Sequence, residues 1–153
     1  MNKRKRSKHT TVAGTAAVEA VLIMSVLLSA IIGGIETARA FWTYNTMVMA
    51  VEQAGRYAMM YKHRPPAICM PQTQASQCPA LSNTPLANCT AWYAQQMLAA
   101  YRAPAVVVSV AIDTATSPAT IAICASYSFA FIASQLLPYG PLDLMSSVTV
   151  PMI

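Results

Sequence analysis

An α+β fold is what this 153-residue sequence predicts: one long, partly transmembrane amino-terminal helix packed on a small antiparallel β-meander with one additional helix. Three observations predict it. No proline interrupts the chain before Pro65, so a helix can run through the whole amino-terminal part. Residues 65–90 then form an aperiodic stretch rich in Pro, Ser, Thr, Gln and Asn. Finally, two β-branched and aromatic runs, Ala105–Asp113 and Thr120–Phe131, follow close together near the carboxy terminus.

The first helix begins in an apolar run, Val12–Ile35, whose one ionisable side chain is Glu19. Twenty-four residues span roughly 36 Å as a helix, enough for a hydrocarbon core of about 30 Å. Composition agrees: 56% of the chain is hydrophobic and only 10% charged, against roughly 25% charged in an average soluble protein. The formal charge of +5 is concentrated at one end, in Lys3, Arg4, Lys5, Arg6 and Lys8. From residue 9 onward five basic residues balance five acidic ones, which excludes a basic nucleic-acid face on the folded part. Lys and Arg resist translocation, so the amino terminus is expected in the cytoplasm and the chain after Ile35 outside.

Beyond the span the helix is expected to continue to about Lys62. Phe41, Tyr44, Val48, Val51, Gly55 and Ala58 recur at steps of three and four, marking one face. Glu52 and Arg56 form an i,i+4 pair in the favoured order. Pro65-Pro66 ends the helix.

The following stretch, 65–90, reads as a loop and holds Cys69, Cys78 and Cys89; Cys124 lies in the later apolar run. These spacings do not fit the CxxC pairs of a zinc site, so no metal is expected. An even number of cysteines outside the membrane points to two disulfides with three possible connectivities. Cys69–Cys78 with Cys89–Cys124 is preferred, because one bridge would close a short loop and the other tie it to the sheet.

Thr90–Arg102 is the second helix, with Thr90 as its cap and Pro104 after its end. Ala105–Asp113 and Thr120–Phe131 are strands joined across Ser117-Pro118, and Ser146–Met152 is a third. In the second run Ile121, Ile123, Ala125, Tyr127, Phe129 and Phe131 share one side. Pro151 makes the last strand an edge, or its end.

Catalytic machinery is hard to find. His63, in Lys62-His63-Arg64, reads as an exposed polar residue, and Trp92 and Tyr93 as packing. Glu36, Glu52, Asp113 and Asp143 form no recognisable pair, and no GxSxG, HExxH, P-loop or GxGxxG occurs. Neither an enzyme nor a cofactor is expected. Asn88-Cys89-Thr90 matches a glycosylation triplet only by form.

The stretch Gly14-Thr15-Ala16-Ala17-Val18-Glu19 places a glycine after a basic leader and a Glu five residues on, at the head of the apolar helix. It resembles a type IV prepilin processing site. Together with the later Ala54-Gly55-Arg56-Tyr57-Ala58, this start is similar to TadE-like proteins, pseudopilins of the tight-adherence (Flp/Tad) pilus system. The resemblance is close over about residues 10–62 and architectural beyond; Ala20 departs from the Tyr or Phe usual after the Glu in Flp-type sites. It implies a leader, 1–14, cut after Gly14 by a prepilin peptidase to expose the Thr15 amine. Residues 15–35 would then span the inner membrane, and a disulfide-stapled domain, 63–153, would lie in the periplasm. It also implies assembly with other pilin and pseudopilin subunits and inner-membrane pilus assembly proteins, in adhesion and biofilm formation.

A carboxylate within a span costs about 2.5–3.5 kcal/mol on the insertion scale. Snorkelling to the head groups would make Glu19 tolerable. Pairing with a new amino-terminal ammonium would give it a role in subunit register. Ala16, Ala17, Ala20, Ser25, Ser29, Ala30, Gly33 and Gly34 are small enough for close helix approach in the bilayer. Two other readings remain. One is an unprocessed, single-pass anchored binding module. The other is a protein released by signal peptidase after Ala38-Arg39-Ala40, against which stand the length of the apolar run and the charges of Glu36 and Arg39.

Overall fold

The computed structural model describes residues 10–66, 69–74, 78, 81–103, 106–132 and 140–152. Its elements are α1 (Thr10–Tyr61), α2 (Pro85–Ala100), β1 (Val107–Asp113), β2 (Thr120–Phe129) and β3 (Leu142–Pro151). The fold is α+β, as the sequence predicts. Residues 1–9 of the leader and Pro104 lie outside the described residues. The chain divides into two compact units, one ending at Ala38 and the other beginning at Arg39, so the second half of α1 belongs with the strands and α2.

The three strands form an antiparallel sheet in the order β1-β2-β3. Register runs from Asp113 opposite Thr120 in the first pair and from Thr120 opposite Pro151 in the second. Pro151 therefore stands at the end of an edge strand, where its missing donor breaks no ladder. β3 starts at Leu142 rather than Ser146, because Leu142-Asp143-Leu144 already pairs with β2. β1 starts two residues later than the apolar run and β2 ends at Phe129 rather than Phe131.

On β2 the residues Ile121, Ile123, Ala125 and Phe129 are buried, and Tyr127 is half-buried. They meet the second half of α1, whose buried face is Met47, Ala50, Val51, Ala54 and Ala58. This face is rotated from the stripe expected: Phe41 and Tyr44 are exposed, although Val51, Gly55 and Ala58 do face inward. Alanines on this face let helix and sheet approach closely. Gly55 is the tightest point, where a Cβ would lie 3.2 Å from Val150 Cγ2 and 3.7 Å from Val148 Cγ1.

α2 begins five residues before the expected start. Thr84 is its N-cap, its hydroxyl accepting from the Ala87 amide at 3.2 Å, and Pro85 takes the first helical position, where a missing N–H is harmless. Thr90 is thus no cap. It is buried in the second turn, donating to the Leu86 carbonyl at 2.8 Å. The helix ends in a Schellman motif: the Ala103 amide donates to Leu98 O and the Arg102 amide to Ala99 O, both at 3.0 Å. Arg102 takes the left-handed position with φ 57°, where glycine is usual. For a side chain bearing a Cβ that conformation costs about 1–2 kcal/mol. Tyr93 on α2 stacks on Tyr57 of α1, ring centroids 4.6 Å apart. Burial, then the neighbouring Tyr61 and Tyr93, push the Tyr57 phenol above its ordinary range.

The disulfides pair Cys69 with Cys89 and Cys78 with Cys124, which corrects the preferred connectivity. The reason lies in the early start of α2. Cys89 sits on the buried side of that helix, not in the loop, so each loop cysteine ties to one scaffold element, α2 or β2. The loop also seals the free edge of β1. Gln72 receives the Val110 amide on Oε1 at 2.6 Å and returns a bond from Nε2 to Val110 O at 3.0 Å. Ser82 donates its own amide to Val110 O and accepts from the Ile112 amide at 2.8 Å. A side-chain amide here replaces a fourth strand, which is one way to protect an edge.

Candidate functional site

Gly14, Thr15 and Glu19 all lie on the first turns of α1, exposed. Helical geometry separates Gly14 from Glu19 by about 7.5 Å along the axis. No side chain approaches Gly14: a Cβ there would meet nothing within 4 Å. Glycine is also the residue that leaves a helix most easily after proline, by about 1 kcal/mol relative to alanine.

From Val18 to Ile35 the helix is bare. Val18, Val21, Leu22, Ile23, Val26, Leu27, Leu28, Ile31 and Ile35 are all exposed. The apolar window has a mean hydropathy of 2.3 and none of it is buried within the protein. A surface this apolar and this bare is of the kind that lipid or other helices cover. By length and composition it is a candidate membrane anchor. Its hydroxyls make no outward demand: Ser25 donates to Leu22 O at 2.8 Å, Ser29 to Ser25 O at 2.6 Å and Thr37 to Gly33 O at 2.8 Å. Ala16, Ala17, Ala20, Ser25, Ser29, Ala30 and Gly34 are exposed, and Gly33 is half-buried.

The remaining candidates converge on no reaction centre. All four cysteines are locked in disulfides. Among the described residues no three His, Cys, Asp or Glu side chains gather where a metal could sit. Glu52 and Arg56 are both exposed, as is His63. Asp113 accepts the Ala115 amide at 2.8 Å and so closes a turn. The Asn88-Cys89-Thr90 triplet is helical, with Thr90 fully buried. The sequence marks Glu36 only as an acid without a recognisable pair; in the structure it is 4% exposed and engaged in an interaction of its own. No local signal foretells that burial, because it is a property of the fold.

Comparison with known families bears on the same part of the chain. Residues 14–56 match the family model of TadE-like protein. The TadE-like segment starts at Gly14, includes Glu19 and the bare helix, and ends at Arg56, just past the tight Gly55 crossing. Over that segment the chain is similar to TadE-like proteins. No curated protein and no solved structure matches the chain. The part beyond the TadE-like segment is thus described by its own geometry alone.

Proposed function

We propose that this TadE-like chain is a minor pilin or pseudopilin, processed after Gly14 by a prepilin peptidase and assembled through its bare helix with other pilus subunits. The observation that carries this reading is the exposed Glu19, five residues beyond an unobstructed Gly14, at the head of an apolar helix that its own protein leaves uncovered. Cleavage would place a Thr15 ammonium within reach of carboxylates on its own or a neighbouring helix. In a low-dielectric setting that pairing offsets the cost of the buried charge and fixes axial register. The leader would remain cytoplasmic and the disulfide-bonded part would face the periplasm, where such bridges persist. The work is mechanical: to help initiate or stabilise the fibre, and through it adhesion and biofilm formation.

Amino-terminal sequencing of the protein recovered from membranes tests the reading. Thr15 as the first residue supports it; Met1 would leave an unprocessed anchored module and Phe41 a released protein. Gly14→Leu should block processing, seen as retention of the larger precursor on a gel. Glu19→Ala should leave membrane insertion intact and reduce piliation at least several-fold by electron microscopy. Normal piliation would remove the register role.

A further inference from the structure

The sheet has two edges, and they are finished differently. On β1 the outward backbone groups of Val110 and the Ile112 amide are taken up by Gln72 and Ser82. β3 is the other edge. Its pairing with β2 runs unbroken from Leu142 to Pro151, without a bulge, and that length exceeds the usual strand of about five or six residues. Its one charge is Asp143, and no lysine stands on it. Native edges are commonly blunted by lysine, by a bulge, by a proline within the strand or by cover. Among the described residues the middle of β3 shows none of these.

The ladder fixes which backbone groups of β3 are open. The Met152 amide donates to Ala119 O at 2.7 Å, and hydrogen-bonded pairs alternate along an antiparallel ladder. Leu144, Ser146, Val148 and Val150 therefore bond to β2, while Asp143, Met145, Ser147 and Thr149 turn their N–H and C=O away from it. All of the latter are exposed, and no bond among the described residues reaches those outward groups. The same alternation puts the missing N–H of Pro151 on the open side, where it costs the ladder to β2 nothing.

The open row is complementary to itself. Pro141 and Pro151, which lack the donor, each stand five residues from Ser146. We infer that β3 pairs antiparallel with β3 of a second copy of this chain, about a two-fold axis at Ser146. Asp143 then lies opposite the partner's Thr149 and Met145 opposite the partner's Ser147, so every outward amide meets an outward carbonyl. The prolines fall opposite one another at the ends. On the core side Leu144 meets the partner's Val148, extending the apolar layer against which both residues already pack. Centring the axis on Ser147 would set Asp143 against Pro151, which has no N–H to give. In-register parallel pairing would bring Asp143 beside Asp143, where like charges destabilise. The joined sheet has β1 at both ends, each sealed by Gln72 and Ser82, so association closes at two copies. The inference goes beyond the pilus reading and depends neither on it nor on a membrane.

The test uses the full chain in dodecyl maltoside micelles, its mass taken from light scattering corrected for bound detergent. The wild type should pass from monomer to dimer as concentration rises, and amide exchange across 142–151 should slow in step. Ser147→Pro removes an outward donor and no bond to β2, so it should raise the dimer dissociation constant about tenfold or more. Met145→Lys combined with Ser147→Lys sets like charges opposite each other at both crossings and should weaken the dimer by a similar factor. Met145→Lys combined with Ser147→Glu should restore it, because each new cation then faces the partner's new anion. A wild type that stays monomeric at its highest soluble concentration, or exchange across 142–151 that ignores concentration, would overturn the assignment. So would a folded Ser147→Pro variant that dimerises as tightly as the wild type. Where that variant unfolds, the two-lysine variant decides, since it leaves the backbone unchanged. A dimer that persists in it is held by another surface, the bare helix included, and the β3 pairing is wrong. No recovery with the lysine–glutamate combination overturns the register centred on Ser146. The pilus reading is scored apart from all of these, by the amino-terminal residue of the protein recovered from membranes.

Discussion

α1 is one helix with two kinds of surface. From Gly14 to Ile35 its large aliphatic side chains stand exposed, and Gly33 and Gly34 have nothing near the place a Cβ would take. From Met47 to Ala58 a face of equally apolar residues is closed against the sheet, and Gly55 has a valine methyl 3.2 Å from that place. The same residue types therefore do different work. In the second half small side chains are consumed by packing inside the protein; in the first they leave a surface available to lipid or to neighbouring helices. Composition does not separate the halves. Contact does.

Three experiments press on that difference, the largest effect first. Removing the Cys78–Cys124 bridge with Cys78→Ser and Cys124→Ser opens a constraint across 46 residues, which in the chain-entropy account is worth about 4 kcal/mol. Urea unfolding followed by tryptophan emission should show that loss, while resistance to carbonate extraction stays unchanged because the bare half shares no part of the bridge. Loss of both together would mean that the halves are not independent. Next, Gly55→Leu should destabilise the folded domain by about 1–3 kcal/mol through overpacking, and Gly33→Leu should leave its unfolding midpoint where it is. A matching fall in both variants would remove the distinction. Smallest of all, Ser29→Ala removes a hydroxyl bonded within its own helix. Its effect on stability should lie within about 0.5 kcal/mol, with piliation at the wild-type level.

Much of this was legible in the sequence because the signals were local. The absence of proline before Pro65 fixed the extent of α1, and alternation from Ile121 to Phe129 fixed the inward face of β2. What escaped depended on one misread boundary and on distant contacts. Thr84-Pro85 is a helix start by cap and first-turn chemistry, yet it stands within a stretch whose Pro and Asn content reads as loop. With Cys89 assigned to that loop, the pairing preference followed it into error. The buried stripe of α1 was rotated because Phe41 and Tyr44 are apolar by type and exposed by position. Gln72 sealing β1 across 38 residues, and Arg102 in a glycine's place, leave no periodic trace at all. Gly14, Thr15 and Glu19 were singled out by the resemblance of their run to a prepilin processing site, while a recess between Arg39 and Phe129 exists only once α1, α2 and β2 meet.

The inward-turned hydroxyls of Ser25 and Ser29 carry a mechanical consequence. A neighbouring rod lying along this stretch meets mostly aliphatic surface and finds no hydroxyl proton at Ser25 or Ser29 left to donate to it. On the proposed reading, depth of seating falls to one negative point, Glu19, acting as a detent on a smooth shaft. Shifting the detent by one turn of α1 would reset the step between adjoining shafts by about 5.4 Å.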